Sequence, residues 1–338
     1  MLALPQRPTM ADVAASAGVA IKTVSRVMRG EPNVADATAA RVREAADQLG
    51  YVLDQQASNL RRRDGRVGAI GLLLSSVGNA FDSQLHRAVE RAASEAGMMT
   101  LAASTEDDPD VELQRLRGFV ERRLDGLVLL TVRDDHAALS LEVARGWPVV
   151  FADRPADGLP CDDVTSDNEA GIRSAVAHVR AHGHTRIAFL SNLQAIATSQ
   201  QRASAFAEAT ADLPGCTATP DLADEGAVIS AVARLMEQPQ PPTAILSGRN
   251  AITIAVVRAL QGLGLQESVA LVGFDDVPLF DLLHPGVTVV AQDPDALGET
   301  AARLLLARIR GESPPPQHIR LTTRLIPRGS GEIRPSRT

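Results

Sequence analysis

Residues 9–28 read TMADVAASAGVAIKTVSRVM, and this stretch writes out two short helices. Thr9-Met10-Ala11-Asp12 has the Thr-x-x-acid form of a helix start, with Asp where Glu is more usual. Val13, Ala14 and Ala17 follow at helical spacing, and Gly18 stops the segment. Ile21–Met28 fits a second helix with Val24, Val27 and Met28 on one face. Asp36–Leu49 fits a third, with Val42, Ala45, Ala46 and Leu49 at helical steps and Gly50-Tyr51 at its end. Three short helices with a glycine in the first turn make a helix-turn-helix bundle.

With its apolar face inward, the second helix turns Ile21, Lys22, Ser25, Arg26 and Arg29 outward. Arg26 can lay its planar fork on O6 and N7 of a guanine, a pairing worth about 1–3 kcal/mol of discrimination. Thr23 and Ser25 are short donors suited to phosphate oxygens, which fix register rather than read bases. Lys22 is the one lysine among 34 basic residues. It stands one turn before Arg26 and reads either as a base contact or as a solvated charge.

The net charge of −7 argues against a nucleic-acid partner until its distribution is read. Residues 1–63 hold nine Arg/Lys against six Asp/Glu, and the other 275 hold 25 against 35. A small basic head on a large acidic body suits a DNA-binding module joined to something else. A length of 338 residues predicts two or three domains. No apolar run is long enough to span a bilayer, and no secretory signal opens the chain. Cys161 and Cys216 lack metal-ligand spacing and read as reduced thiols, so a cytoplasmic protein with no membrane partner is expected.

From Val67 onward, apolar runs alternate with helical stretches. Strands are expected at Gly68–Leu74, Met98–Ala103, Gly126–Thr131, Pro148–Ala152, Arg186–Ser191, Thr243–Ser247 and Val269–Phe274. Helices are expected at Asp82–Ala96, Asp110–Leu124, Asp135–Arg145, Asn168–His182, Ser199–Ala211, Asp224–Gln238 and Asn250–Leu263. Buried strands between amphipathic helices mean parallel sheets with crossover connections. Seven units exceed one ordinary sheet, so a division near Val164–Asp167 is expected. Thr288–Ala291, the helix Asp295–Arg310 and a strand Ile319–Leu325 then serve as returns. Two such halves facing each other leave a cleft lined by the carboxyl ends of their strands.

Met10-Ala11-Asp12-Val13-Ala14, Ala17-Gly18-Val19, Thr23-Val24-Ser25-Arg26-Val27 and Leu49-Gly50-Tyr51 together resemble the head of the LacI/GalR family of bacterial transcription regulators. The resemblance continues through Asp107-Asp108-Pro109, Leu124-Asp125-Gly126, Asp153-Arg154-Pro155, Gly183-His184-x-Arg186, Gly273-Phe274-Asp275-Asp276 and Ala291-Gln292-Asp293. It implies an N-terminal all-α helix-turn-helix head on an α/β core of the periplasmic-binding-protein type, made of two parallel-sheet subdomains. The expected organisation is a head over 1–53, a hinge helix and linker over 54–66, a core over 67–331 and a tail over 332–338. Within the core, 67–165 with 293–322 would form one subdomain, and 166–292 with 323–331 the other.

The resemblance also implies site residues. Ile21, Lys22 and Arg26 would read bases; Thr23, Ser25, Asn33 and Thr38 would touch the backbone, with Arg29 beside them. Two hinge helices would pair across a dimer in the minor groove, Leu60 acting as a wedge between base steps and Ala57 permitting close approach. Ser75, Phe81, Asp153, Arg202, Asp275 and Gln292 would contact an effector. Asp82 and Arg249 join them as departures: Asp82 stands where a second aromatic is common, and Arg249-Asn250 replaces the common Asn-Asp. With nine aromatic residues in the chain, sugar stacking has few candidates, and Arg249 would suit an acidic or phosphorylated effector. Ala20 and Ala35 stand where helix-capping Ser or Thr is common.

The function expected is a repressor of carbohydrate or related metabolic genes, controlled by a small-molecule effector, a sugar or sugar derivative. Its other partners would be pseudo-palindromic double-stranded operator DNA and a second copy of the chain. The short tail with Gly331 and Pro335 favours a homodimer over a tetramer. The sequence leaves open whether the effector releases the repressor or acts as co-repressor. No cofactor, metal or catalytic constellation is expected, since no nucleophile or phosphate-loop motif is present. The alternative is a solute-binding transport component with the same core.

Overall fold

In the computed structural model, Thr9 starts the first helix by a reciprocal pair of bonds. Asp12 N–H donates to Thr9 Oγ1 at 3.4 Å, and Thr9 N–H donates to Asp12 Oδ2 at 2.7 Å, so the shorter carboxylate still closes a capping box. The structure describes residues 8–28, 30–51, 66–133 and 135–336. The chain divides into two compact units, Met1–Val67 and Gly68–Thr338.

The first unit carries α1 (Met10–Ala17), α2 (Ile21–Met28) and α3 (Asp36–Leu49). Gly18 and Gly50, both at φ 63°, end α1 and α3 in a left-handed turn that a Cβ would disfavour. Val13, Ala14, Val24, Val27, Val42, Ala45 and Ala46 form the buried core, with Met28 packed at its edge. The start of α3 at Ala35 has no side-chain cap. Leu49, expected on the inward face, is 39% exposed. The turn at Gly50 explains this: Tyr51 N–H reaches back to Ala46 O at 2.8 Å, and the Tyr51 side chain packs on the core instead.

The second unit begins with β1 (Ala69–Leu74), α4 (Ala80–Glu95), β2 (Met99–Ser104), α5 (Pro109–Glu121), β3 (Leu127–Leu129), α6 (Ala137–Ala144), β4 (Val149–Ala152) and β5 (Asp162–Ser166). It continues with α7 (Asn168–Ala181), β6 (Ile187–Leu190), α8 (Ala197–Ala209), β7 (Thr217–Thr219), α9 (Glu225–Met236), β8 (Ala244–Ser247), α10 (Asn250–Leu263), β9 (Ala270–Phe274) and β10 (Thr288–Ala291). Last come α11 (Pro294–Ile309), β11 (His318–Leu321) and β12 (Arg324–Ile326). One sheet has the order β11-β5-β4-β3-β1-β2, the other β12-β10-β9-β8-β6-β7. All pairings are parallel except β12 on β10.

Each sheet is covered on both faces, which is why its strands read as continuous apolar runs. In the first, Ile70, Leu72 and Val128 pack on α4 and α11 through Leu85, Val89, Leu297 and Leu305. Leu73, Leu129 and Phe151 face Leu116 and Phe119 of α5 on the other side. The second sheet repeats the plan, with Ile245, Leu271 and Val289 under α9 and α10, and Phe189, Val272 and Phe274 under α7 and α8. The chain passes between sheets at 166–168, 292–293 and 322–323. The strand expected over Ile319–Leu325 is thus two strands in different sheets, parted at Thr322-Thr323. Among the described residues, no helix is long and apolar enough to cross a membrane.

Candidate functional site

Every parallel strand ends in a loop at its carboxyl end, and in the second unit these loops converge between the two sheets. Ser75 follows β1, Phe81 and Asp82 open α4, and Asp153 follows β4; Arg249 follows β8, Asp275 follows β9 and Gln292 follows β10, while Arg202 comes from α8. These eight expected residues all line one cavity of about 40 Å³. Asp153 and Asp275 hold matching places, each just past a strand with φ of 64° and 70°. That left-handed conformation is one Asp tolerates better than most residues.

The cavity wall is densely charged. Arg202 donates from Nε to Asn168 Oδ1 at 2.9 Å and from Nη1 to Gly248 O at 2.7 Å. Arg154, missing from the expected site, donates from Nη1 to Thr131 O at 2.5 Å and from Nη2 to Ser75 Oγ at 2.8 Å and Asp107 Oδ1 at 3.1 Å. Arg249 donates to the other oxygen of Asp107 at 2.8 Å. Behind Arg154, Glu112 accepts from Thr131 Oγ1 and from Val132 N–H. Gln292 Nε2 donates to Asp275 Oδ1 at 2.7 Å.

Three guanidiniums here meet four carboxyls, Asp82, Asp107, Asp153 and Asp275. Burial pushes Asp82 up to about 7, against the opposing pull of the Ser76 N–H bond and Arg154. Burial likewise raises Asp153, opposed by Arg202 and Arg154. Asp107 is buried too, but Arg154 and Arg249 hold it below the usual carboxylate range. Arg154 and Arg249 thus share the single carboxylate of Asp107. Of the buried side-chain atoms without a hydrogen-bond partner among the described residues, three belong to this cluster: Asp153 Oδ1, Arg154 Nε and Gln292 Oε1. Two of them are acceptors, the pattern a ligand rich in hydroxyl donors satisfies.

Asn79, Asp107, Arg154, Asn192 and Asn250 belong to the cavity or its wall and escaped the sequence reading. Asp107 and Arg154 lay inside the quoted landmark strings, so an ionisable residue just past a strand was the available signal. Asn250 was noted only as part of the Arg249-Asn250 departure, and Asn79 at a helix start carried no signal. His184 is buried, bonded to Thr243 Oγ1 and Ile333 O. Among the described residues no cluster of three or more His, Cys, Asp or Glu can hold a metal ion.

In the head, Ile21, Lys22 and Arg26 lie exposed on one face of α2, with Thr23 and Ser25 half-buried beside them. Arg26 Nε lies 3.8 Å from Glu31 Oε2. Asn33 is exposed at φ 76°, and Thr38 sits half-buried in the first turn of α3. Arg29, Ala57 and Leu60 lie outside the described residues.

Comparison with known proteins joins the two parts. The description "Bacterial regulatory proteins, lacI family" matches residues 9–54, and "Periplasmic binding protein-like domain" matches residues 176–331. The HTH-type transcriptional regulator PtxS of Pseudomonas plecoglossicida is 32% identical over 340 residues, 97% of each chain. The ribose operon repressor of Escherichia coli (strain K12) is 32% identical over 333 residues, 95% of this chain and 99% of the relative. Among solved structures, the Lac repressor dimer bound to operator and the anti-inducer ONPF has the same fold, with TM-score 0.84 at 24% identity over 96% of this chain and 99% of that one. The regulator CelR in complex with cellobiose matches with TM-score 0.68 at 30% identity, over 96% and 100%. A head matched by regulators sets the chain apart from solute-binding transport components that share the core. Aligned nearly end to end with these proteins, the chain belongs to the LacI family of bacterial regulatory proteins, and it is a DNA-binding transcriptional regulator, not an enzyme.

Proposed function

We propose that the chain is a homodimeric repressor of carbohydrate or related metabolic genes, released from or recruited to a pseudo-palindromic operator by a hydroxyl-rich small molecule. The observation that carries the effector class is the pair of buried acceptors without partners, Asp153 Oδ1 and Gln292 Oε1, beside the Arg202 guanidinium. Sugar hydroxyls donate to such acceptors, while Arg donates in return to a ring or hydroxyl oxygen. A sugar or sugar derivative fits, in keeping with relatives described as a ribose operon repressor and a cellobiose complex. Ser75, Phe81, Asp82, Asp153, Arg202, Arg249, Asp275 and Gln292 form the effector site in this reading.

Ile21, Lys22 and Arg26 read base edges, and Thr23, Ser25, Arg29, Asn33 and Thr38 hold the phosphates, with Ala57 and Leu60 at the operator centre. The head spans 1–53, the hinge 54–66 and the core 67–331. The dimer is supported by apolar side chains left open on both halves: Met99 is 71% and Leu101 40% exposed on the edge strand β2, and Leu279 and Leu282 are 65% and 72% exposed. An unpaired edge with apolar side chains is a natural partner for a second copy.

Selection of bound duplexes from genomic upstream DNA, followed by gel shift, tests the reading. A palindromic site preferred over random duplex at moderate salt is expected, and Arg26→Ala should cost about 1–3 kcal/mol of base discrimination. Absence of any site preference overturns the repressor. Calorimetry with neutral sugars against sugar acids and sugar phosphates tests the effector class, and exclusive binding of the anions overturns it.

A further inference from the structure

Two sets of polar contacts join the halves across the cleft, and both start from the turn between β8 and α10. Arg249 Nη1 donates to Asp107 Oδ2 at 2.8 Å. The next residue, Asn250, exchanges side-chain amide bonds with Asn79 at 2.8 and 2.9 Å. Arg249 and Asn250 belong to the second sheet's half, whereas Asn79 and Asp107 follow β1 and β2 in the first.

Both ends of this bridge are fixed in advance. Glu106 and Asp107 sit at φ 53° and 55°, a left-handed pair that non-glycine residues keep only where the surroundings impose it. Glu106 N–H on Ser75 O at 2.7 Å imposes it here, and Arg154 Nη2 holds the second carboxylate oxygen of Asp107 at 3.1 Å. On the opposite side, Asn250 N–H donates to Asp275 Oδ2 at 3.2 Å. The Asp107 carboxylate is thus already aimed when Arg249 meets it.

The bridge also divides space. Arg249 and Asn192 separate the inner cavity of about 40 Å³ from an outer one of about 440 Å³, lined by Leu193, Leu222 and Ile252. The inner volume is close to that of one water and far below the roughly 300 Å³ at which ordinary small-molecule sites begin. A sugar-sized ligand does not fit the inner cavity unless its walls move apart.

We propose that Asp107 and Arg249, backed by the Asn79–Asn250 amide pair, form a latch that holds the cleft shut through the chain's own side chains, and that an effector must part this latch to enter. Only the second clause rests on reading the cleft as the effector site. The ion pair is partly open to solvent, with side chains 22% and 16% exposed, so dissolved ions reach and weaken it.

Hydrogen exchange on the full chain, without effector or DNA, tests the latch. Arg249→Met keeps the aliphatic stem and removes the fork. In this variant the amides of residues 76–82 and 249–253 should exchange at least about tenfold faster than in the wild type, with β9 unchanged as an internal reference. Arg249→Lys, which keeps the charge, should fall between the two. Wild-type exchange in Arg249→Met at those segments overturns the latch. Should that variant not fold, the wild type decides the matter: raising NaCl to about 1 M must speed the same segments relative to β9, and no change overturns the proposal. A latch that opens as expected in a protein that binds no sugar in calorimetry would sink the effector reading alone.

Discussion

The guanidinium carbon of Arg202 lies 3.8 Å from the centroid of the Phe274 ring, so a buried cation rests on the aromatic end of β9. Its Nε donates to Asn168 Oδ1 and its Nη1 to Gly248 O. One planar group thereby ties α7, the end of β8 and β9 together, and faces Asp153 and Asp275.

Arg202→Ala removes a buried charge from between two carboxylates and leaves two acceptors unpaired. It should destabilise the chain by roughly 3–5 kcal/mol, read from urea unfolding. Arg202→Lys should recover only part of the loss, because an ammonium cannot reproduce the fork or the stacking.

Asp82 titrates at about 7 in the folded chain, against an ordinary value of 3.8. The folded state therefore holds this proton more tightly than the unfolded state. Its contribution to stability is complete below the ordinary value and is lost as pH rises through about 7. Asp82→Asn is insensitive to pH at that site. Relative to the wild type it should gain about 2–3 kcal/mol of stability between about pH 5 and pH 8, measured by paired urea titrations. A pH-independent difference would mean that Asp82 is already ionised in the folded chain.

Gly298 lies where α11 crosses α4, and a Cβ there would stand 2.6 Å from Leu85 O and 2.9 Å from Ala88 Cβ. Ala is the better helix former by about 1 kcal/mol, yet Gly298→Ala should lower stability by about 1–3 kcal/mol because the helices must separate. Thermal unfolding measures it, and a raised melting temperature would show that the contact relaxes freely.

The strands with apolar runs and the helices between them were legible because each is buried on two faces or one, and periodicity reports that directly. β5 was not, because it reads Asp-Asp-Val-Thr-Ser. All five residues are nonetheless buried, and Asp162 is satisfied by a two-bond fork from Arg308, 146 residues away. No local pattern announces such a partner. β7 is a three-residue strand at a sheet edge, mostly exposed, so it carries no apolar signal. The run Ile319–Leu325 reads as one strand because neither Gly nor Pro marks Thr322-Thr323, where the chain changes sheets.

The cleft was legible in part for similar reasons. Asp153, Asp275 and Gln292 stand directly after strands, where position alone aims a side chain inward. Asn79 and Asn250 are helix-start residues whose importance lies in each other, 171 positions apart, and Arg154 acts through a carbonyl and a carboxylate on two other loops.

The first sheet borrows α11 and β11 from far along the chain, while the stretch from α7 to β10 supplies all but one strand of the second. During translation most of the second sheet is therefore available before the first can be finished. The half encoded later can close most of its sheet while the half encoded earlier still lacks the helix that seals one face and the strand that caps one edge. The regulatory body matures only after β12, ending at Ile326, has left the ribosome, long after the small head has emerged.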